Sequence, residues 1–306
     1  MTGLDLPPGV LVFERGWLSS NNILLVDSES SCMVDSGYGT HAEQTADLVE
    51  AALKGRPLDL LLNTHLHSDH CGGNASLQAI YPKLQTSIPP GHADFVSAWD
   101  TVALSYAPTG QFCPRFGFTQ LLRPGVDIRL ADRAWQVHAA PGHDPHSVIF
   151  FEPQSRTLIS ADALWENGFG VVFPELEGSH AFDEVAATLD LIERLNPHIV
   201  IPGHGPVFSY RAEILASARQ RLNAFVSNPA RHAHHAAKVL LKFKLLEQQQ
   251  MRLVELLHWA RGTSYFQQVR EAFFASIEFD DWLEQLADEL VRAAVARREA
   301  DLILNA

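Results

Sequence analysis

Within six residues the chain places three histidines and an aspartate, in Thr64-His65-Leu66-His67-Ser68-Asp69-His70-Cys71-Gly72-Gly73. Crowding so many titratable side chains into one turn is costly inside a protein unless a positive charge neutralises and orders them. A metal ion does that. The motif grows out of LDLLLNTH (58–65), a continuous apolar run of the kind that forms a strand buried on both faces. Where such a strand runs out is where α/β sheets present ligands to a crevice. The chain is thereby constrained to a layered sheet protein with a ligand cluster at its strand ends.

Three more groups stand in similar settings, each in a tight turn after a strand-like run. They are His143 in Ala140-Pro141-Gly142-His143, Asp162 in Ile159-Ser160-Ala161-Asp162, and His204 in Ile201-Pro202-Gly203-His204-Gly205. A neighbouring glycine lets the backbone bend sharply and aim such a side chain. Around them the pattern predicts strands at 9–13, 21–26 and 31–35, then a helix at 41–54 with Ala46, Val49 and Leu53 on one face. A short helix is expected at 73–81 and a mixed helix-and-loop stretch at 92–123. Strands are expected at 126–130, 135–140, 148–151, 157–160 and 198–202, with helices at 181–195 and near 211–227. The strand, helix, strand order implies helices packed on sheet faces. After Asn228-Pro229 the composition changes, since residues 230–306 hold one glycine and no proline. Trp282, Leu283, Leu286 and Leu290 fall at amphipathic helical spacing. Residues 1–228 are expected to form the sheet-rich domain and 229–306 a helical subdomain.

The ordered set His65-x-His67-x-Asp69-His70, His143, Asp162 and His204 resembles the HxHxDH branch of the metallo-β-lactamase superfamily over about residues 10–210. That resemblance implies an α/β fold, a four-layer αββα sandwich, here with the C-terminal helical subdomain added. It implies a two-metal site in which His65, His67 and His143 hold one ion, Asp69, His70 and His204 hold the other, and Asp162 bridges. Such a ligand set suits zinc, two per chain, with iron or manganese as alternatives. A water held between two ions is acidified and becomes a nucleophile near neutral pH. In the family the true β-lactamases generally lack the bridging aspartate, whereas glyoxalase II-like thioesterases and acyl-homoserine lactonases have it. The implied activity is metal-dependent hydrolysis of a small thioester, lactone or ester, with Asp69 and Asp162 as the catalytic carboxylates. The alternative within the same ligand set is a mononuclear-iron sulfur (persulfide) dioxygenase.

Several other residues call for a reading. Asp35, in Val34-Asp35-Ser36-Gly37, resembles the family's Asp-x-Gly turn, where it either orients a ligand or simply makes the turn. His146 stands where relatives commonly carry a small residue. It is a candidate substrate contact, as are Trp165 and His180, with Glu166 and Phe169 as further pocket-wall candidates. Cys71 is expected to be a small buried residue pointing away from the ligands. Arg231-His232-Ala233-His234-His235 looks like a metal tract but reads as a solvated helix face, and Lys238, Lys242 and Lys244 read as surface lysines.

Composition narrows the partners. Of the 23 Lys+Arg and 36 Asp+Glu, residues 229–306 hold 10 and 11, so the acidic excess lies in the sheet-rich part. An acidic body repels phosphate backbones, so nucleic acid is not expected as a partner and an RNA-processing nuclease is disfavoured. No apolar run reaches the roughly 20 residues of a membrane span. The N-terminal MTGLDLPPGVLVFERGW lacks a secretory pattern, and three cysteines without CxxC spacing suit a reducing compartment. Both point to a cytoplasmic protein acting on a small molecule. The helical subdomain is expected to supply substrate contacts or a homodimer interface.

Overall fold

The computed structural model describes residues 5–306, and its strands form two six-stranded sheets built from consecutive stretches of chain. The first runs β1 (Val10–Phe13), β2 (Asn22–Val26), β3 (Ser31–Val34), β4 (Leu60–Leu62), β5 (Gln85–Ile88) and β6 (Gln120–Leu121). Pairing is antiparallel from β1 to β3 and parallel from β3 to β6. The second holds β7 (Asp127–Leu130), β8 (Arg133–Ala139), β9 (Val148–Glu152), β10 (Thr157–Ala161), β11 (Ile199–Pro202) and β12 (Phe208–Ser209). In it only β10 and β11 run parallel.

Period-two alternation sorts the side chains into layers. Ile23, Leu25, Cys32, Val34 and Leu62 of the first sheet share one core with Trp135, Val137, Val148, Phe150, Ile159 and Ile201 of the second. The interleaved Leu24, Met33 and Leu61 turn the other way, onto Val49 and Leu53 of the helix Ala42–Leu53 and Leu77 of the helix Asn74–Ile80. The helix Ala181–Leu195 buries the stripe Phe182, Val185, Leu189 and Ile192. Each fully buried side chain of this size contributes about 1.5–3 kcal/mol of transfer free energy. The result is the expected αββα sandwich.

Two details differ from the expected pattern, and one follows it. The apolar run 58–65 is a strand only over Leu60–Leu62, because the backbone leaves the sheet at Asn63 to form the ligand turn. The stretch 92–123 is the expected mixture, with helices Ala93–Ala98 and Tyr106–Thr109 and connecting loop before β6. The C-terminal part carries helices Pro229–Gln248, Leu253–Gly262, Ser264–Phe273 and Phe279–Arg292, but also a three-stranded sheet of β13 (Gln250–Arg252), β14 (Ala296–Glu299) and β15 (Leu302–Asn305). Those strands are three or four residues long and include Ala-Arg-Arg-Glu, too short and too charged for an apolar alternation to register.

Asn228 marks the compositional change physically: its side chain accepts the Arg231 N–H at the start of Pro229–Gln248, with Pro229 in the first turn. Contacts divide the chain into one unit ending with Asp100 and resuming over Phe112–Asn223, and a second of Thr101–Gln111 and Ala224–Ala306. The first four positions of the span 1–228 lie outside the described residues. Among the described residues no helix is long and apolar enough to cross a membrane.

Candidate metal centre

The ligand turn is held from beneath by Asp35, which follows β3 in a left-handed conformation (φ 58°) and is buried. Its Oδ1 accepts the Thr64 N–H at 2.8 Å and its Oδ2 the Thr64 hydroxyl at 2.7 Å. The same Oδ2 lies 2.7 Å from His70 Nδ1, which leaves Nε2 of that ring to face the centre. Asp35 therefore shapes the turn and orients a ligand at once. After His67 the chain coils into the single helical turn Ser68–Cys71, which puts Asp69 and His70 side by side. Gly72 lies so close to the neighbouring strand exit that a Cβ there would sit 2.4 Å from Gly39 N. Glycine is required by proximity at that point.

From the second sheet come the other three groups. His143 follows β8, Asp162 follows β10 directly, and His204 follows β11. At Gly203 a Cβ would stand 2.1 Å from Asp162 Oδ1, so the Pro-Gly-His turn can approach Asp162 only with glycine there.

All seven predicted groups meet. Ligand atoms of His65, His67 and His143 lie within 4.8 Å of one another, as do those of Asp69, His70 and His204. A third such group, His65, His70 and Asp162, links the two sets. His67 Nδ1 is 2.8 Å from His143 Nε2, and His204 Nε2 is 3.1 Å from Asp69 Oδ2. Asp162 spans both, with Oδ1 3.4 Å from His70 Nε2 and Oδ2 3.3 Å from His143 Nε2.

Burial and neighbouring charge set the ionisation of the cluster. Burial holds the His65 imidazolium well below its usual range, and neighbouring His70, His67 and His143 add to that. Burial, with His143 beside it, brings His67 down to about 4. His70 is the opposite case: burial lowers it, but Asp162, Asp35 and Asp69 together push it well above the imidazole range. Burial alone would raise Asp162, yet His204, His70 and His143 hold its carboxyl well below normal. His65 and His67, held neutral beside the buried carboxylates of Asp69 and Asp162, are donors suited to a cation at the centre. His65 Nε2 is buried and has no hydrogen-bond partner, a state that is costly for a polar atom. The outer nitrogens are meanwhile held: His65 Nδ1 by Thr64 Oγ1 at 3.0 Å, His70 Nδ1 by Asp35, and His143 Nδ1 by the Val171 carbonyl. Inner nitrogens converging while outer ones are anchored is the donor arrangement of a protein metal site, and the residues fit one.

Of the seven, His67 and Asp69 are the partly exposed members, so the cluster opens on their side. An aromatic rim surrounds it. Trp165 donates Nε1–H to Asp162 Oδ1 at 3.2 Å and meets the His204 ring edge-on at 5.5 Å. Trp17 stacks on His204 at 5.4 Å with planes 9° apart while remaining 56% exposed. Phe173 stands edge-on to His67. Sequence reasoning missed Trp17 and Phe173, because an isolated aromatic in a turn has no periodicity or motif to mark it. The Trp17 loop is fixed by Ser20 N–H to Asp69 O at 2.9 Å and Asn21 N–H to Gly203 O at 2.6 Å.

The remaining predicted residues lie elsewhere. His146 packs edge-on against His92 with centroids 4.5 Å apart, directly over Gly91, and does not join the ligand cluster. His180 is exposed immediately before the helix Ala181–Leu195. Glu166 faces Arg211 at 3.9 Å, and Phe169 is buried with the Arg221 guanidinium 5.6 Å from its ring. Cys71 is buried and directs its thiol toward the Leu66 and His67 carbonyls.

The sequence pattern described as metallo-beta-lactamase superfamily matches residues 15–204. A hydroxyacylglutathione hydrolase from Synechococcus sp. (strain JA-3-3Ab) is 30% identical over 178 residues, 58% of this chain and 60% of that protein. An acyl-coenzyme A thioesterase from Gallus gallus is 27% identical over 217 residues, 64% of this chain and 76% of that protein. The chain thus spans only about 60% of the length of the first of these relatives. Among solved structures, a metallo-beta-lactamase family protein from Thermus thermophilus superimposes with a TM-score of 0.56 at 18% identity, over 99% of this chain and 100% of that one. A beta-lactamase domain protein from Burkholderia ambifaria gives 0.59 at 20% identity, over 99% and 94%.

Proposed function

The chain belongs to the metallo-beta-lactamase superfamily, and from that premise we propose that it hydrolyses a small thioester, with lactones and other esters as lesser substrates, at a two-metal centre. The observation that carries this is Asp162, whose two oxygens reach 3.4 Å to His70 and 3.3 Å to His143 and so join the two ligand sets. His65, His67 and His143 would hold one ion, Asp69, His70 and His204 the other, and Asp162 both; zinc suits the donors, with iron or manganese as alternatives. Bound there, the metals would supply an acidified water and a polarised carbonyl. Asp69, partly exposed and fixed through Oδ2 to His204, would orient the nucleophile while ligating. Trp17, Trp165 and Phe173 flank the opening and would exclude bulk water from the scissile bond. The relatives support the choice of a thioester, since the names of a hydroxyacylglutathione hydrolase and an acyl-coenzyme A thioesterase stand among them. A small-molecule substrate also accords with the acidic balance of the sheet-rich part.

The test joins metal analysis to turnover. Freshly purified protein is expected to carry two metals per chain and to release thiol from acyl-thioesters, with loss of that release on chelation and recovery on adding zinc. Thioester turnover that survives exhaustive metal removal rejects the proposal. A single iron with oxygen uptake on a persulfide would replace hydrolysis by the dioxygenase alternative.

A further inference from the structure

Beside the ligand turn, the sulfurs of Cys71 and Cys113 lie 3.9 Å apart although the residues are 42 positions apart in sequence. We propose that they are a thiol–disulfide pair, a covalent modification site for low-molecular-weight disulfides, whose closure loosens the metal centre. Cys113 is partly exposed and Cys71 buried, which sets the order of events. The Cys113 thiolate attacks the small disulfide, forming a mixed disulfide and releasing one thiol. Cys71 then attacks the Cys113 sulfur, expels the second thiol, and gives its proton to that leaving group. The protein loses two electrons and two protons, and one small disulfide becomes two thiols. Cys32 takes no part, because it is enclosed in the core between the sheets and burial pushes its thiol far up.

Closing the bond shortens the gap to about 2 Å, and both ends resist. On one side Phe112 N–H donates to the Tyr38 hydroxyl at 2.8 Å, and Phe112 and Pro114 pinch Gly39 so tightly that a Cβ there would meet each at 2.9 Å. Cys113 therefore cannot supply all the movement. The rest falls on Cys71, next in sequence to His70 and on the same helical turn as Asp69. Drawing that turn toward residue 113 displaces two ligands while Asp35 still holds the far nitrogen of His70.

The metal-loaded protein is treated with oxidised glutathione, then alkylated and mapped by peptide mass spectrometry, and the rate of metal loss to a chelator is followed before and after. A 71–113 cross-link is expected with Cys32 alone still alkylated, together with metal loss at least about tenfold faster, since displaced ligands should cost no less than a lost outer contact, reversed by dithiothreitol. Cys113→Ser is expected to show neither effect. A stable mixed disulfide at Cys113, or a cross-link with unchanged metal loss, overturns the proposal. The second effect rests on the metal-centre reading above: protein that binds no metal in either state counts against that centre, while the cross-link alone then decides the pair.

Discussion

Two histidine-rich stretches of this chain look alike in sequence and differ completely in structure. His65, His67 and His70 leave a strand end and converge with groups from three other turns. His232, His234 and His235 sit in the helix Pro229–Gln248 and meet at no common point, two packing on Phe225 and one pairing with Glu289. His232 is buried with its ring 4.9 Å from Phe225, and His235 lies 5.9 Å from the same ring. His234 Nε2 pairs with Glu289 Oε2 at 2.8 Å, an oxygen that Lys238 also reaches at 2.9 Å. The expected solvated face is thus corrected: the helix packs this side, and buries His232, inside the second unit. Lys242 and Lys244 likewise have partners, in Asn305 and in Glu247 with the Trp259 ring. His232 and His235, three apart, share the helix face that meets Phe225, and His234 points elsewhere, whereas strand-end turns can aim all their side chains at one point. Convergence, not histidine content, makes the first stretch chemical.

The contrast can be pressed by mutation. Converting His67→Ala or Asp162→Ala is expected to remove several kcal/mol of transition-state stabilisation, about 10³-fold in thioester kcat/KM, with loss of bound metal in the same preparation. Asp35→Ala touches no proposed metal, yet it should weaken metal affinity by about 10- to 100-fold, read by competition with a chromophoric chelator. Full affinity there would reduce Asp35 to a turn residue. Trp17→Ala uncovers one face of His204 and should cost about 1 kcal/mol, a few-fold in kcat/KM, with metal content kept. In the tail, His232→Ala is expected to lower stability by about 2 kcal/mol in denaturant titration while metal content and turnover stay put. Metal loss in that variant would erase the distinction between the two stretches. Smallest is His234→Ala, within about 1 kcal/mol because the pair is partly exposed. Burial raises the Glu289 carboxyl, but hydrogen bonds from Lys238 and His234 bring it below 4.5 overall. Its pairing therefore adds stability above that pH and loses it as pH falls through the lower folded value, a dependence Glu289→Gln should abolish.

Sheet strands with apolar alternation and ligands beside Pro-Gly or Gly-Gly punctuation were legible in the sequence, since local chemistry alone marks them. Asp35 was half legible: its turn could be seen, but not that one carboxylate would hold both Thr64 and His70. Trp17 was not legible, because its meaning lies in the stack on His204, far along the chain and brought near by the fastened loop at Ser20 and Asn21. His146 shows the reverse, a candidate substrate contact in the sequence that instead packs against His92 over Gly91. The strands of the C-terminal sheet escaped because charged edges three or four residues long carry no period.

The first sheet is finished before Leu122 and the second begins after it, so the seven converging groups are shared four and three between the two halves of the fold. His204 comes 135 positions after Asp69. During synthesis the early quartet emerges long before its counterparts, and no complete binding set exists until the second sheet has docked. Metal retained in the centre would then be a seal on a finished chain.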